Sequence, residues 1–290
     1  MPNAIRSQKL LVAFLIACCI FVVGVWLTGS ALSSPAPNQV GDLPGELTGR
    51  NVEFASKSGA TLRGWFVPGK KGAGAVVLMH GLRASRLNML GRTRFLAAAG
   101  YSVLCFDFRA HGESTGDEIT FGYLESEDAR AAIEFLRLTA PGERVGIIGI
   151  SMGGAATLLA TPPLTADAIV LEEVYATLSE ALTNRLTEQL GGWASVLANL
   201  LVIQFKPRVG VSAEELRPIE RVGKLTMPKL FIVGADDKYT TLEESVRLFD
   251  AAAEPKEFWA IAGAAHIDLH SFATQEYEQR VKLFFEKNLR

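Results

Sequence analysis

The order of apolar segments after residue 50 is the strongest constraint on how this chain folds. Short runs of strand length alternate with amphipathic segments of helical length, a pattern typical of βαβ units. The predicted strands are Asn51–Ala55, Thr61–Val67, Ala75–Met79, Ser102–Phe106, Arg144–Ile148, Ala168–Leu171, Lys229–Val233 and Glu257–Ile261. The predicted helices are Leu87–Ala99, Leu124–Leu138, Met152–Ala160, Leu242–Ala252 and Thr274–Leu289. We therefore expect an α/β fold whose eight-stranded sheet is flanked by helices and mostly parallel, with an antiparallel start.

One serine lies in a setting that favours catalysis. The segment Gly149-Ile-Ser151-Met-Gly153 follows a predicted strand and precedes a predicted helix. In that context GxSxG forms a sharp turn that exposes the serine oxygen, and its glycines leave space where a β-carbon would clash. We predict that Ser151 is a nucleophile and that Gly149 and Gly153 shape its turn. The alternative is a glycine-rich turn with an incidental serine.

A serine nucleophile needs a base, and one of the four histidines is well placed for that role. His266 follows the last predicted strand, so it lies at the carboxyl edge of the sheet, where the turn of Ser151 also lies. His270 is a weaker candidate, which we expect to be solvated or to support the site. His80 and His111 sit in other turns before Ser151, and we expect them to support loops.

The base in turn needs a carboxylate that fixes its tautomer. Asp236 and Asp237 both follow a predicted strand; one is expected to orient the histidine and the other to cap the turn. Glu172 and Glu173, which end the preceding strand, are an alternative acid or line the pocket. The chain order of serine, aspartate and histidine is that of the α/β-hydrolases.

Attack on a carbonyl creates a negative oxygen that needs hydrogen-bond donors. A predicted strand runs into His80-Gly81-Leu82, and the backbone N–H groups of Leu82 and Met152 are the predicted pair. The segment Asp107–Ser114 is expected to be a hydrogen-bonded loop that shapes the site. The sequence has no metal-ligand motif such as CxxC or HExxH, and the predicted reaction needs neither metal nor cofactor.

Five segments together resemble a known superfamily. HGLRASR, FDFRAHGES, GISMGG, VGADDKYT and GAAH occur in the order found in α/β-hydrolases, with most similarity to the bacterial serine aminopeptidase-like (S33-type) and prolyl-oligopeptidase-like branch. The resemblance covers roughly residues 52–289 and implies the α/β-hydrolase fold. In such proteins the acid usually stands three residues after the glycine that ends its strand, which selects Asp237 over Asp236. The branch includes esterases and thioesterases, so the resemblance does not imply an aminopeptidase.

Near the N-terminus lies an apolar segment of transmembrane length. Residues 10–29 read LLVAFLIACCIFVVGVWLTG and carry no charge, and about 20 apolar residues cross a bilayer as a helix. Arg6 and Lys9 precede this segment, and the next basic residue is Arg50. The positive-inside rule then predicts a signal anchor with residues 1–9 cytoplasmic and the rest of the chain outside.

Two alternatives to the anchor stay open. Signal peptidase could cleave near Gly29-Ser30-Ala31 and release a secreted protein. Lipidation at Cys18 is the other, because Leu15-Ile-Ala-Cys18 resembles a bacterial lipobox. The apolar run continues well past Cys18, which favours the uncleaved anchor.

Two further segments complete the predicted organisation. Residues 30–49 are rich in serine, proline and glycine and predict a flexible linker before a hydrolase domain at residues 50–290. Residues 176–226 interrupt the alternation with helical segments, Ala176–Gln189 and the nearly all-apolar Gly192–Phe205. We predict a helical cap there, over a site for a hydrophobic substrate.

Composition narrows the class of protein. The 29 basic and 31 acidic residues give a net charge of −2, without the basic excess of a nucleic-acid-binding protein. We therefore predict a membrane-anchored, carboxylesterase-like serine hydrolase that cleaves a small-molecule ester. A peptidase, a thioesterase or an acyltransferase would use the same triad and stays possible. So does a non-catalytic hydrolase fold that serves as a binding module.

Overall fold

The computed structural model describes residues 2–192 and 194–290, with side chains from residue 7 onward. The strands are β1 (Ala36–Pro37), β2 (Arg50–Ala55), β3 (Thr61–Val67), β4 (Ala75–Met79), β5 (Ser102–Phe106), β6 (His111–Gly112), β7 (Val145–Ile150), β8 (Ala168–Glu172), β9 (Lys229–Gly234) and β10 (Lys256–Ile261). The helices are α1 (Pro2–Ser33), α2 (Leu90–Ala98), α3 (Glu125–Thr139), α4 (Met152–Leu159), α5 (Leu178–Leu190), α6 (Ala194–Val202), α7 (Phe205–Val209), α8 (Leu242–Ala251), α9 (Leu269–Phe272) and α10 (Thr274–Leu289).

Eight strands form one sheet in the order β10-β9-β8-β7-β4-β5-β3-β2. β3 is antiparallel to both of its neighbours, β2 and β5, and the other pairs are parallel. β4, β5 and β8 are buried along their whole length because helices cover both faces of the sheet. The predicted mostly parallel sheet with an antiparallel start is confirmed. Its parallel strands bring their carboxyl ends to one edge, where ligands of such folds bind.

The core has two layers, one on each face of the sheet. Successive residues of β4 alternate between them: Val77 packs in the layer covered by α3, α4 and α8, and Val76 and Leu78 pack in the layer covered by α2 and α10. All eight predicted strands are present. The helix predicted from Leu87 begins instead at Leu90, because a 3-10 turn over Arg86–Met89 precedes it.

The first helix extends beyond the predicted span. α1 reaches Ser33, its segment Ser7–Ser33 has a mean hydropathy of 3.0 in its most apolar window, and none of that window is buried. The predicted linker, residues 30–49, begins inside α1 and then lies along the domain. β1 pairs with β6, and the backbone N–H groups of Val40 and Gly41 donate to Glu113 at 3.2 and 3.0 Å. These bonds attach the segment to the domain; the predicted domain bounds themselves stay predictions.

The segment predicted as a cap contains α5, α6 and α7. A single helix was expected over Gly192–Phe205, but α6 ends at Val202 and α7 begins at Phe205; position 193 lies outside the described residues. The break lies at Gln204, whose amide donates to the carbonyl oxygens of Leu200 and of Val25 in α1. α6 is also buried on one side only, because Ala198 faces the protein and Val196 is 65% exposed.

Candidate active site

The turn between β7 and α4 holds Ser151 in a strained conformation. Its φ of 48° and ψ of −111° lie outside the common regions for a non-glycine residue, at a cost of about 1–3 kcal/mol. A β-carbon at Gly153 would lie 2.4 Å from the carbonyl oxygen of Met79, and one at Gly149 would lie 2.8 Å from Cα of Gly154. Only glycine fits at these two positions, which is the physical basis of the predicted serine turn.

The size of this constraint is testable at Gly153. Gly153→Ala would press a methyl group against backbone of the buried strand β4, which cannot move aside. We expect the free energy of unfolding to fall by about 1–3 kcal/mol, as overpacking usually costs. Ester hydrolysis should fall about 10²-fold, because the serine is displaced. Denaturant unfolding and initial rates measure both. Gly45→Ala, which meets nothing within 4 Å, is the control and should match wild type.

Asp237 and His266 form a hydrogen-bonded pair. Nδ1 of His266 donates to Oδ2 of Asp237 at 2.7 Å. Oδ1 of Asp237 accepts the backbone N–H groups of Tyr239 and Thr240 at 2.7 and 3.0 Å. Burial acts to raise the pKa of Asp237, but the bonds from His266 and Thr240 outweigh it and hold the pKa below its usual value. The ionised carboxylate therefore keeps the proton on Nδ1 and leaves Nε2 free to accept another.

The neighbouring aspartate has a different environment. The side chain of Asp236 is exposed, and its backbone N–H donates to the carbonyl oxygen of Ala264 at 2.8 Å. Asp237 is buried and directed at His266. The geometry thus agrees with the choice of Asp237 that the family resemblance implied.

Ser151 and His266 line the same cavity, whose volume is about 670 Å³. Within the described residues, His266 is bonded through Nδ1 to Asp237 and has no hydrogen bond to Ser151. Catalytic hydrogen bonds are often long before substrate binds and shorten in the complex. The structure therefore joins Asp237 and His266 by a hydrogen bond and places Ser151, the third predicted catalytic residue, on the wall of the cavity that His266 also lines.

The two predicted oxyanion donors flank this serine. Leu82 and Met152 both line the cavity, and a β-carbon at Gly81 would lie 3.7 Å from Cβ of Ser151. Within the described residues, neither the Leu82 nor the Met152 N–H has a backbone acceptor in a turn or loop. Two N–H groups without such acceptors beside the serine are what a tetrahedral oxyanion requires.

Comparison with known proteins agrees with this geometry. Residues 70–203 match the family described as serine aminopeptidase, S33. The Pyrococcus furiosus esterase Pf2001 superimposes with a TM-score of 0.74 at 23% identity, over 89% of this chain and 99% of that one. The chain therefore has the α/β-hydrolase fold. The family match supports a hydrolase, whereas a structural likeness at this identity shows the fold alone.

Two bacterial relatives match this chain along most of its length. The uncharacterized protein YqkD of Bacillus subtilis (strain 168) is 27% identical over 237 residues, which cover 80% of this chain and 77% of that protein. The uncharacterized protein Rv2307c of Mycobacterium tuberculosis is 28% identical over 240 residues, which cover 81% and 78%. Both alignments are long enough to include most of the hydrolase domain.

A second carboxyl lies beside the Asp237–His266 pair. Oε2 of Glu173 is 3.9 Å from Nδ1 of His266, and Oε1 accepts the backbone N–H of Ile267 at 3.3 Å. Burial, together with the charges of Asp237 and Glu172, raises the pKa of Glu173 to about 9. The group is therefore protonated at neutral pH. The sequence predicted that Glu173 is an alternative acid or lines the pocket, and the structure places it in the cavity lining, farther from Nδ1 of His266 than Asp237 is.

Among the described residues, Glu173, Asp237 and His266 also form a group that could hold a metal ion. Glu173, Asp237 and His266 bring one ligand atom each within 4.8 Å of one another. The candidate nitrogen of His266 already donates to Asp237, and Glu173 is protonated at neutral pH. A metal ligand must be deprotonated and must offer a free lone pair. The arrangement therefore suits an acid–base pair better than a metal site.

The raised pKa of Glu173 predicts a pH dependence of stability. An unfolded glutamate titrates near pH 4.3, whereas the folded group titrates near 9. Between these values the folded state binds more protons, so its stability falls as the pH rises. We expect Tm to fall between pH 5 and 9 in wild type and to fall less in Glu173→Gln, which cannot ionise. Thermal unfolding measures this. The exposed Glu276→Gln is the control, and equal slopes in all three proteins would contradict the prediction.

A buried ion pair at the cavity lining could not be predicted from the sequence pattern. Arg92 binds Glu172 at 2.6 Å with both side chains 1% exposed, and it binds Asp268 at 2.8 Å. Asp268 stands two residues after His266, so Arg92 ties the loop of the base to the end of β8. Glu172, one of the alternative acids, is therefore occupied with Arg92 and the hydroxyl group of Tyr277.

The remaining histidines have supporting positions. His270 is buried rather than solvated, with Nε2 2.9 Å from Oε1 of Glu278 and its ring stacked on Phe95. His80 donates from Nδ1 to the Gly81 carbonyl oxygen and accepts the N–H of Phe108. Burial lowers the pKa of His80 to about 3, so its ring is neutral and holds the loop that carries Leu82.

The loop after β5 is organised around Asp107. Its carboxylate accepts the backbone N–H of Arg86 at 2.6 Å and that of Glu113 at 3.0 Å, and it pairs with the Arg86 guanidinium. His111, in the same loop, accepts the backbone N–H of Arg83 at 3.0 Å. These bonds fix the loop after Leu82, as expected of a segment that shapes the site.

Proposed function

We propose that this α/β-hydrolase is a membrane-anchored serine esterase that hydrolyses carboxylic esters with a hydrophobic acyl group. The observation that carries the proposal is the Asp237–His266 hydrogen bond of 2.7 Å on the wall of the cavity that Ser151 also lines. A strained serine turn beside an oriented histidine is the arrangement that activates a serine hydroxyl.

In the proposed reaction, Oγ of Ser151 attacks the ester carbonyl carbon while Nε2 of His266 takes its proton. Asp237 stabilises the imidazolium that forms, and the N–H groups of Leu82 and Met152 hold the oxyanion. His266 then gives the proton to the leaving alcohol, which departs from an acyl-enzyme. Water, activated by His266, attacks the acyl group and releases the acid and free Ser151.

The proposed substrate class follows from the cavity walls. Side chains of α5 line the cavity, among them Leu178 and Leu182, and Phe121 and Tyr175 add aromatic surface. Apolar walls with a few polar groups at the reacting end suit an acyl chain. Arg185 stacks on Tyr239 at 4.7 Å and brings a positive charge to the cavity lining.

The proposed anchor is α1, whose apolar length is exposed in the structure. Lys9 stands before the apolar run and Arg50 after the predicted linker. We therefore propose a cytoplasmic N-terminus and an extracytoplasmic catalytic domain. Protease treatment of intact cells that express a C-terminally tagged chain should remove the tag, and a protected tag would contradict this orientation.

Fluorophosphonate labelling of the full chain tests the esterase proposal. We expect one labelled peptide, the one that contains Ser151. A series of p-nitrophenyl esters from acetate to dodecanoate should show kcat/KM rising with acyl length. An unlabelled but folded protein would favour the binding-module alternative. Turnover of peptide or thioester substrates in preference to every ester would favour the peptidase or thioesterase alternative.

A further inference from the structure

We infer that the outer surface of the segment α5–α7 docks on the bilayer that α1 crosses and that the active site takes its ester from that membrane. The inference deepens the proposed function and rests on it for the chemistry. The docking surface is defined by Leu190, Val196, Ile203 and Lys206. This docking surface contacts the lipid surface at the carboxyl end of α1.

The first observation is that the cap is fixed to the end of α1. The Gln204 amide donates to the Val25 carbonyl oxygen at 3.2 Å, and the Arg208 guanidinium donates to Oγ of Ser30 at 2.5 Å. The same guanidinium lies 3.9 Å over the ring of Trp26. Residues 25–30 are the end of the apolar run, so these contacts set the depth of the cap relative to the membrane.

The second observation gives that depth. Tryptophan at the end of a membrane-spanning helix lies at the level of the lipid headgroups. Leu200 of α6 reaches further along α1, into a cleft that Phe21 and Val22 line with Trp26. Phe21 precedes Trp26 by five residues, which is about 7.5 Å of helix rise. α6 therefore lies at the boundary of headgroups and acyl chains, where interfacial helices bury their apolar side.

The third observation is the character of the exposed surface. Ile203 is 72% exposed, Val196 is 65% exposed and Leu190 is 42% exposed. Val196 lies in α6, and Ile203 lies in the turn directly after α6, where its backbone N–H still donates to the Asn199 carbonyl oxygen at 3.1 Å. Lys206 is exposed three residues after Ile203, in α7, and a lysine at this level can place its ammonium among lipid phosphates. A surface of large apolar side chains bordered by a cation is better suited to contact with a membrane than to contact with water.

The fourth observation connects this surface to the active site. The ring of Phe205 in α7 packs 5.1 Å from that of Phe121, which lines the cavity of Ser151. Leu82 also lines the cavity, and the next residue, Arg83, donates to the carbonyl oxygens of Ala31 and Ser34, at 3.3 and 3.2 Å. The cavity lining is therefore connected to the membrane end of α1 at Phe121 and at Leu82.

The docking is tested by fluorescence on the full chain in phosphatidylcholine–phosphatidylglycerol vesicles. Cys18 and Cys19 are replaced by alanine, and an environment-sensitive dye is attached at Ile203→Cys. The matched control carries the dye at Leu138→Cys, which is 81% exposed on α3. We expect blue-shifted emission at position 203, quenched at least twofold by brominated lipid chains, and water-like, unquenched emission at position 138.

Two results of this experiment would overturn the docking. Water-like emission at position 203 would show that the surface faces solvent. Blue-shifted emission without quenching by brominated lipid would assign the surface to a protein contact, such as a second copy of the chain.

The substrate route is tested by activity. Val196→Glu/Ile203→Glu should lower hydrolysis of a monoacylglycerol in vesicles at least tenfold and leave p-nitrophenyl acetate hydrolysis within twofold, which also shows that the variant is folded. Leu138→Glu should change neither rate. Equal rates for wild type and the double variant on the vesicle substrate would overturn the route. The dye at position 203 could be quenched while the wild-type protein hydrolyses neither ester. That result would support the docking and overturn the esterase proposal instead.

Discussion

Replacing Ser151 with alanine is expected to lower kcat for p-nitrophenyl esters by about 10⁴-fold or more. The variant keeps the cavity and the oxyanion donors but has no atom that can form the acyl-enzyme. Alanine is smaller than serine and fits the same turn, so the fold should stay intact. Initial rates with p-nitrophenyl acetate and fluorophosphonate labelling measure the loss, and circular dichroism verifies the fold.

A matched control exists on the same cavity wall. Ser271 also lines the cavity, but its hydroxyl group donates to Oδ2 of Asp268 at 2.6 Å. Ser271→Ala should retain kcat within about threefold and keep the label. If Ser151→Ala still hydrolysed the ester at the wild-type rate, the serine mechanism would be wrong. Loss in both variants would indicate a general effect on the cavity.

Replacing Asp237 with asparagine is expected to lower kcat by about 10³–10⁴-fold with little change in KM. The asparagine amide would no longer hold the Nδ1–H tautomer of His266, so Nε2 would not be free to accept the proton of Ser151. Without the carboxylate charge, the imidazolium that forms during the reaction also loses its stabilisation. Steady-state kinetics from pH 5 to 9 measure the loss and whether it persists across the pH range.

The adjacent residue provides a closely matched control. Asp236→Asn makes the same chemical change one residue away, on an exposed side chain. It should leave kcat within about twofold. Equal losses in the two variants would contradict the assignment of the acid. A larger loss for Asp236→Asn would reverse it.

Much of the fold could be predicted because its determinants are local. Strands buried on both faces need unbroken apolar runs, and such runs mark β4, β5 and β8 in the sequence. The serine turn was predictable for the same reason. Gly149 and Gly153 stand within two residues of Ser151, and the clash that each avoids is a property of that short turn.

The candidate catalytic acid was only partly predictable. Asp236 and Asp237 follow the same strand, and the spacing alone allowed either to orient His266. The resemblance to a family separated them, and the structure supplies the physical reason. The turn after β9 buries Asp237 and directs its carboxylate at His266, whereas Asp236 is exposed.

By itself, the sequence determined the order of strands and helices, the serine turn, the chain order of the candidate triad and the apolar α1. The order of the triad is read directly from the sequence, and each of the others depends on residues close together in the chain. Only the tertiary structure decided the contacts between distant residues: Arg92 with Glu172, 80 positions apart, and Gln204 with Val25, 179 positions apart. The order of the strands within the sheet and the path of residues 176–226 set these contacts, and local periodicity carries no information about either. For that reason the protonated Glu173 beside His266, and the cap fixed to the end of α1, became visible only in the folded chain.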